Sequence, residues 1–296
     1  MPWKESRIVG QRLQFLSSYQ KEEMSVSELC REFGVSRQTG YRWINRYKED
    51  GPEGLLNRSS KPFSEVTAPN QLWCMDFKGY FSTGDGTRCD PFTITDAHSR
   101  YLIRCQTVSR MDFDQVRAVC EAAMREYGMP LRIRTDNGAP FAGVGLQGLS
   151  KLSLGWMKLG IVHERIQPGR PQQNGRHERM HRTLKEDTTK PPALTLRLQQ
   201  KKFDGFRQMF NHERPHEGLN NKTPGSIYQP SSMMLPRALI GYVYPKGFVI
   251  RRVNNSGDIS WHKGRVFVSQ VLRFEDLGFE LVAEDFYKVF FRSFVM

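Results

Sequence analysis

Three acidic residues stand where a merely solvated carboxylate seldom does. Asp76 interrupts an apolar run in W-C-M-D-F-K-G, Asp136 closes a strand-like run in R-T-D-N-G, and Glu178 lies in the strongly basic stretch R-H-E-R-M-H-R-T-L-K. Carboxylates at strand ends can converge where a sheet opens. Hard divalent cations want oxygen ligands, and magnesium is held by one or two carboxylates while keeping positions for water and phosphate. Two such ions on the order of 4 Å apart activate an attacking oxygen and stabilise a leaving one during in-line displacement at phosphorus. The chemistry that Asp76, Asp136 and Glu178 suggest as metal ligands is therefore phosphodiester cleavage and transfer.

The surroundings of Glu178 point the same way. On a helix, steps of four and seven bring Arg182 and Lys185 to its face while Met180 and Leu184 bury the other side. Arg176, Arg179, Arg182 and Lys185 would track phosphates, which fix register without carrying much sequence information. An intrahelical ion pair between Glu178 and Arg182 is the plain alternative. A sharper one is zinc, because residues 177–181 spell H-E-R-M-H, the pattern of two histidines and a glutamate base in zinc proteases. The longer form of that motif needs glycine at 184 and histidine at 187, where this chain has Leu184 and Asp187.

The elements that must position these groups can be read from periodicity. Ile8, Val9, Leu13, Leu16 and Tyr19 recur at helical steps. Ser25 and Glu28 form a capping-box pair, Gly34 supplies a turn, and Ser36 caps a further helix carrying Tyr41, Trp43, Ile44 and Tyr47. Three short helices over residues 1–56 make a helix-turn-helix domain, whose exposed last-helix start, Arg37, Gln38 and Thr39 with Arg42 one turn on, would enter the major groove. Tyr41, Trp43 and Trp73 read as core rather than base-stacking platforms. Residues 57–69, rich in Ser and Pro, read as a linker.

Residues 70–230 then read as one α/β layer domain. Leu72 to Phe81 is strand-like, Gly84-Asp85-Gly86 a turn, and Phe92 to Cys105 its partner strand. Asp114 to Tyr127 is helical, Leu131 to Thr135 and Ile161 to Ile166 are short strands, and Asn174 to Asp187 is a helix. Asp96, Asp112, Asp114 and Glu164 read as structural or surface acids, Asp96 being the one nearest to joining the cleft. Over residues 231–296 short strands at Phe248 to Val253, Ile259 to Trp261, Arg265 to Val268, Gly278 to Val282 and Tyr287 to Phe291 suggest a small β-barrel.

Composition agrees with a polyanion partner. The chain of 296 residues carries 44 Lys plus Arg against 31 Asp plus Glu, a formal net charge of +13. The excess is local: residues 163–222 hold 13 basic against 7 acidic residues, whereas residues 63–162 are nearly balanced at 11 against 10. Five cysteines without a CxxC spacing favour neither a disulfide framework nor a cysteine zinc site. No apolar run approaches membrane-spanning length and the start lacks a secretory core, so a cytoplasmic, nucleoid-associated protein is expected.

Taken together, W-C-M-D-F-K-G, R-T-D-N-G-A-P-F, P-G-R-P-Q-Q-N-G-R-H-E-R-M-H-R-T-L-K and F-N-H-E-R-P-H-E-G-L-N-N-K-T-P resemble bacterial insertion-sequence transposases whose catalytic core is similar to retroviral integrases. The resemblance covers about residues 70–230. It implies an α/β ribonuclease H-like catalytic domain and a magnesium- or manganese-dependent site at Asp76, Asp136 and Glu178, binding two ions. It also implies end cleavage followed by strand transfer between transposon ends and target DNA, with a homo-oligomer assembled on DNA. This chain departs from the pattern in two places. The interval from Asp136 to Glu178 is longer than in retroviral integrases, the extra length falling around Leu146 to Leu159, and a short linker stands where such transposases carry a second DNA-binding segment. The alternative reading is a truncated, non-catalytic DNA-binding copy that regulates transposition.

Overall fold

The computed structural model describes residues 5–21, 24–51, 55, 66–143, 148–166, 175–262, 264–283 and 286–296. Residues 1–65 with 281–287 form one compact unit, and residues 66–280 with 288–296 another. No helix among the described residues is long and apolar enough to cross a membrane. Residues 56–65, most of the expected linker, lie outside the described residues.

In the first unit three helices, α1 (Glu5–Gln20), α2 (Val26–Glu32) and α3 (Arg37–Asp50), pack around Phe15, Leu16, Leu29, Cys30, Trp43, Ile44 and Leu55. Their ends follow the local chemistry. The Ser25 side chain accepts from Glu28 N while Glu28 accepts from Ser25 N, and the Ser36 hydroxyl accepts from Thr39 N, satisfying amides that have no partner within the helix. Gly34, at φ +64°, makes the tight turn between α2 and α3. Gly40 serves a different purpose: a Cβ there would lie 2.4 Å from Cys30 Sγ and 3.0 Å from Phe15 Cζ, so only glycine lets α3 approach α1 and α2 this closely. Trp43 is core, edge-on to Phe15 with ring centroids 5.4 Å apart, whereas Tyr41, expected inside, is exposed.

The second unit is built on a six-stranded mixed sheet. Its strands are β1 (Trp73–Phe77), β2 (Phe81–Ser82), β3 (Arg88–Asp96), β4 (Leu102–Val108), β5 (Arg132–Thr135) and β6 (Val162–Arg165). The order is β2-β3-β1-β5-β6, with β4 on the far side of β3. β1, β5 and β6 run parallel, while β3 is antiparallel to β1 and β4. The single partner strand expected over Phe92 to Cys105 is thus two strands. Asp96 carries the turn between them: its carboxylate accepts from Asn70 N, Ser99 N and Ser99 Oγ, each at 2.7 Å. Helices cover both faces. On one, α4 (Phe113–Tyr127) and α5 (Lys151–Lys158) close a core with Trp73, Met75, Phe92, Ile94 and Ile133; on the other, α6 (Gly175–Thr188) and α7 (Leu196–His212) pack Met180, Leu184, Phe203, Phe206 and Phe210 against Cys89, Leu102 and Cys105.

Helix α7 was not foreseen from the sequence, and it does more than cover a face. β4 is an edge strand, with backbone groups that would otherwise invite another strand. The Asn211 amide accepts from Leu102 N (2.8 Å) and donates to Leu102 O (3.0 Å), the Gln200 amide accepts from Thr107 N (2.8 Å) and donates to Cys105 O (2.9 Å), and Arg207 donates to Ile103 O (2.9 Å). Side chains of α7 thus close the edge.

The expected barrel at the carboxyl end is not what forms. β7 (Val249–Arg252), β10 (Asp276–Ala283), β11 (Phe286–Phe291) and β12 (Phe294–Val295) make a four-stranded sheet in the order β12-β11-β10-β7, and β8 (Asp258–Trp261) pairs with β9 (Gly264–Phe267) as a separate hairpin. The strands were legible, but among the described residues none joins the hairpin to the sheet, so the ladders stay open. The Lys158 ammonium pairs with Glu275, and Arg292 donates to Lys158 O at 2.8 Å, fastening the end of α5 to this region.

Candidate active site

Side chains alternate along β1. Trp73, Met75 and Phe77 enter the core beneath α4 and α5, which leaves Cys74 and Asp76 on the α6 face. Asp76 is half-buried, its side chain 16% exposed, and its Oδ1 accepts from Phe77 N at 2.8 Å. β5 is its parallel neighbour, with Trp73 beside Ile133 and Cys74 beside Arg134. Two residues beyond that last pair on each strand come Asp76 and Asp136, so the two acids leave adjacent parallel strands at the same level. Asp136 follows directly on β5; its Oδ1 accepts from Gly138 N at 3.1 Å and its carbonyl accepts from Thr135 Oγ1 at 2.9 Å.

Helix α6 presents two kinds of residue. His177 and His181, each 4% exposed, face the sheet, whereas Glu178, Arg179, Arg182 and Lys185 are exposed. Both imidazole Nε2 atoms lie on one hydroxyl, Thr93 Oγ1, at 2.6 and 2.7 Å, and His177 Nδ1 is 3.3 Å from Thr95 Oγ1. His181 Nδ1 lies 4.0 Å from Asp76 Oδ2. Burial holds both rings neutral: His177 is pushed down to about 3 by desolvation, and His181 to about 2 by desolvation first and then by the nearness of two other basic groups, His177 and Lys78.

One ligand atom from each of Asp76, His177 and His181 lies within 4.8 Å of the others, a cluster that motif reading did not assemble. Asp136 and Glu178 are not part of it. Glu178 is exposed on the same helix, one residue after His177.

In the helix-turn-helix Arg37, Gln38 and Arg42 are exposed at the start of α3. Thr39 is only half-exposed, and its hydroxyl lies 2.9 Å from the capping Ser36 Oγ, so it belongs to the cap. The Arg176 side chain and the segment 167–174 lie outside the described residues. Three of the acids read as structural or surface have structural partners. Asp96 anchors its turn and is held above the usual carboxylate range by burial, against its hydrogen bonds. Asp112 caps α4 by accepting from Gln115 N, and Glu164 pairs with Arg132 at 2.8 Å and Arg134 at 2.9 Å.

Comparison with known proteins bears on this arrangement. Residues 66–171 and 159–224 each match an integrase core domain family, and residues 11–63 match a helix-turn-helix domain family. The chain carries an integrase core. Similar proteins include a 31.7 kDa protein of insertion element IS407 from Burkholderia multivorans, 26% identical over 162 residues, covering 54% of this chain and 56% of that protein. A 39.2 kDa protein of insertion element IS476 from Xanthomonas euvesicatoria is 25% identical over 161 residues, covering 54% of this chain and 44% of that one. The integrase-core chain thus spans about half the length of the curated relatives it matches. Among solved structures, the catalytic core domain of HTLV-2 integrase in complex with magnesium aligns over 55% of this chain and 99% of its own, with 17% identity and a TM-score of 0.43. H-E-R-M-H falls inside the second integrase-core match, which leaves the zinc-protease reading without support of its own.

Proposed function

We propose that this protein is a transposase of the integrase type, cutting DNA at element ends and joining the released 3′ ends to target DNA, with Asp76, Asp136 and Glu178 as its divalent-metal ligands. The observation that carries the reading is the level of Asp76 and Asp136 at the carboxyl ends of adjacent parallel strands within an integrase core. The sheet order, with helices on both faces, supports a ribonuclease H-like fold for it. Two oxygen-bearing side chains at the carboxyl ends of neighbouring strands, with a third carboxylate exposed on α6, suit a hard ion such as magnesium or manganese, of which two are proposed. On the α6 side of Asp76 the buried side chains are neutral imidazoles, and His181 Nδ1 lies 4.0 Å from its Oδ2.

When bound, such ions would supply activation of the attacking oxygen and stabilisation of the leaving one. The chain's own residues do the rest. Arg179, Arg182 and Lys185, exposed on the helix that carries Glu178, hold phosphates beside the carboxylates, and Arg176 belongs with them by sequence. Arg37, Gln38 and Arg42 read bases in the major groove. Two ends must be joined in one reaction, so the working form is a homo-oligomer on DNA, acting in the bacterial cytoplasm at the nucleoid. Incubating the protein with labelled duplexes carrying the flanking inverted repeats and magnesium tests this reading. Nicked ends and joined products are expected, and their absence with both magnesium and manganese would overturn it.

A further inference from the structure

Thr93 Oγ1 has one proton and two lone pairs, and three neighbours. It lies 3.1 Å from the carbonyl oxygen of Asp76, 2.6 Å from His177 Nε2 and 2.7 Å from His181 Nε2. A carbonyl only accepts, so the hydroxyl proton goes to Asp76 O, and both imidazoles must then donate Nε2–H to the threonine. This is the one assignment that satisfies all three contacts. It fixes the tautomer of each ring, and with it the lone pair on each Nδ1. His177 Nδ1 has Thr95 Oγ1 at 3.3 Å as its donor. His181 Nδ1 instead has Asp76 Oδ2 at 4.0 Å, which is another acceptor.

Two acceptors facing one another at that separation are what a cation bridges. Metal–nitrogen and metal–oxygen bonds of roughly 2.0–2.3 Å put two ligand atoms of one ion between about 3 Å apart at a right angle and a little over 4 Å apart in line. We propose that His181, through Nδ1, is a further ligand of the divalent ion held by Asp76, making that position a mixed nitrogen–oxygen site. His177 is excluded from this role because both of its nitrogens are committed to threonines; it holds Thr93, which in turn fixes the ring of His181. The threonine thus does for His181 what a carboxylate or carbonyl does for many metal-bound histidines, fixing the tautomer from behind. A nitrogen donor shifts preference away from magnesium and toward manganese and other borderline ions.

The inference rests on the reading of Asp76 as a metal ligand, and the test separates the two. The full chain, unlabelled and with 15N-histidine, is titrated with Mn2+ alone; binding is followed by the loss of the free-ion resonance, and coordinated nitrogen by pulsed electron paramagnetic resonance. Imidazole modulation that changes isotope with the label is expected, disappearing in His181→Asn and persisting in His177→Asn, with Mn2+ affinity reduced about tenfold or more by the first change. The manganese-over-magnesium preference should fall with it. His181→Gln is a second variant should His181→Asn fail to fold, and the labelled wild-type protein needs no substitution. Mn2+ binding that is abolished by Asp76→Asn yet shows no imidazole nitrogen would overturn the proposal and leave Asp76 a ligand. Nitrogen modulation that survives in His181→Asn also overturns it. Binding indifferent to Asp76→Asn would overturn both.

Discussion

Thr93 faces Asp76 across the ladder of β1 and β3, and its hydroxyl donates to the Asp76 carbonyl oxygen at 3.1 Å. The relation recurs one strand away, where Thr135 Oγ1 donates to the carbonyl of Asp136 at 2.9 Å. Each threonine is then held from behind by histidine, Thr93 by His177 and His181, and Thr135 by His163 at 2.9 Å. Thr93→Val should therefore leave two buried imidazole N–H groups unsatisfied. A loss of about 2–4 kcal/mol is expected, read as a fall of several degrees in the thermal midpoint. Thr93→Ser, which keeps the hydroxyl, should stay close to wild type. Equal midpoints for the valine variant and wild type would show that the junction contributes nothing.

Conservative changes at the three proposed ligands should separate catalysis from binding. Asp76→Asn, Asp136→Asn and Glu178→Gln keep shape and lose the charge that attracts an ion, so each should abolish metal-dependent nicking and joining while gel-shift affinity for DNA stays nearly intact. Asp96→Asn is the matched control, because Asp96 accepts three hydrogen bonds at the opposite end of β1. It should lower the thermal midpoint and leave activity per folded molecule unchanged. Cleavage retained by any of the first three, above a metal-free blank, would remove that residue from the site.

Two basic residues on different elements should fail in different ways. Arg37→Ala should flatten discrimination between end sequences and random duplex, because base contacts specify. Lys185→Ala should weaken both alike and reduce the salt slope of binding by roughly one unit. Competition titrations at several salt concentrations distinguish these outcomes. An unchanged specificity profile for the Arg37 variant would take α3 out of base readout.

His163 makes a pH prediction. Its ring stacks edge-on against Trp156 at 5.0 Å, and burial, followed by the charge of Arg165, pushes it down to about 4. The folded value lies below the unfolded one of about 6.5, so the neutral ring is what folding favours. Its stabilisation is complete above about pH 6.5 and is lost as the pH falls toward 4. By pH 5.5 the loss should be about 1 kcal/mol. Denaturation at pH 7.5 and 5.5 checks this: His163→Gln, which can still donate to Thr135, should show a difference between the two pH values smaller by about that amount. The same pH dependence in both proteins would place the loss elsewhere.

Much of this molecule is written in local sequence. The capping pairs at Ser25 and Ser36, the strand ends at Asp76 and Asp136, and the helix carrying Glu178 follow from residue type and from periods of two and 3.6, which neighbouring residues impose on each other. The helical spacing of Phe203, Phe206 and Phe210 is equally local, yet α7 was not foreseen from it; that Gln200, Arg207 and Asn211 would close the edge of β4 is set only by packing. The tail shows the same division. Its strands were readable one by one, but whether they close a barrel depends on pairing between distant segments, and here the β8–β9 hairpin stays apart.

The tertiary structure alone decided the roles of the two histidines. H-E-R-M-H places His177 and His181 on one helical face and says nothing of what that face meets. Packing of α6 on the sheet sets Thr93, far away in sequence, between them, within hydrogen-bond distance of one nitrogen of each ring. A motif records residue types at fixed separations along the chain, whereas a hydrogen-bond junction depends on atoms that only folding brings within 3 Å.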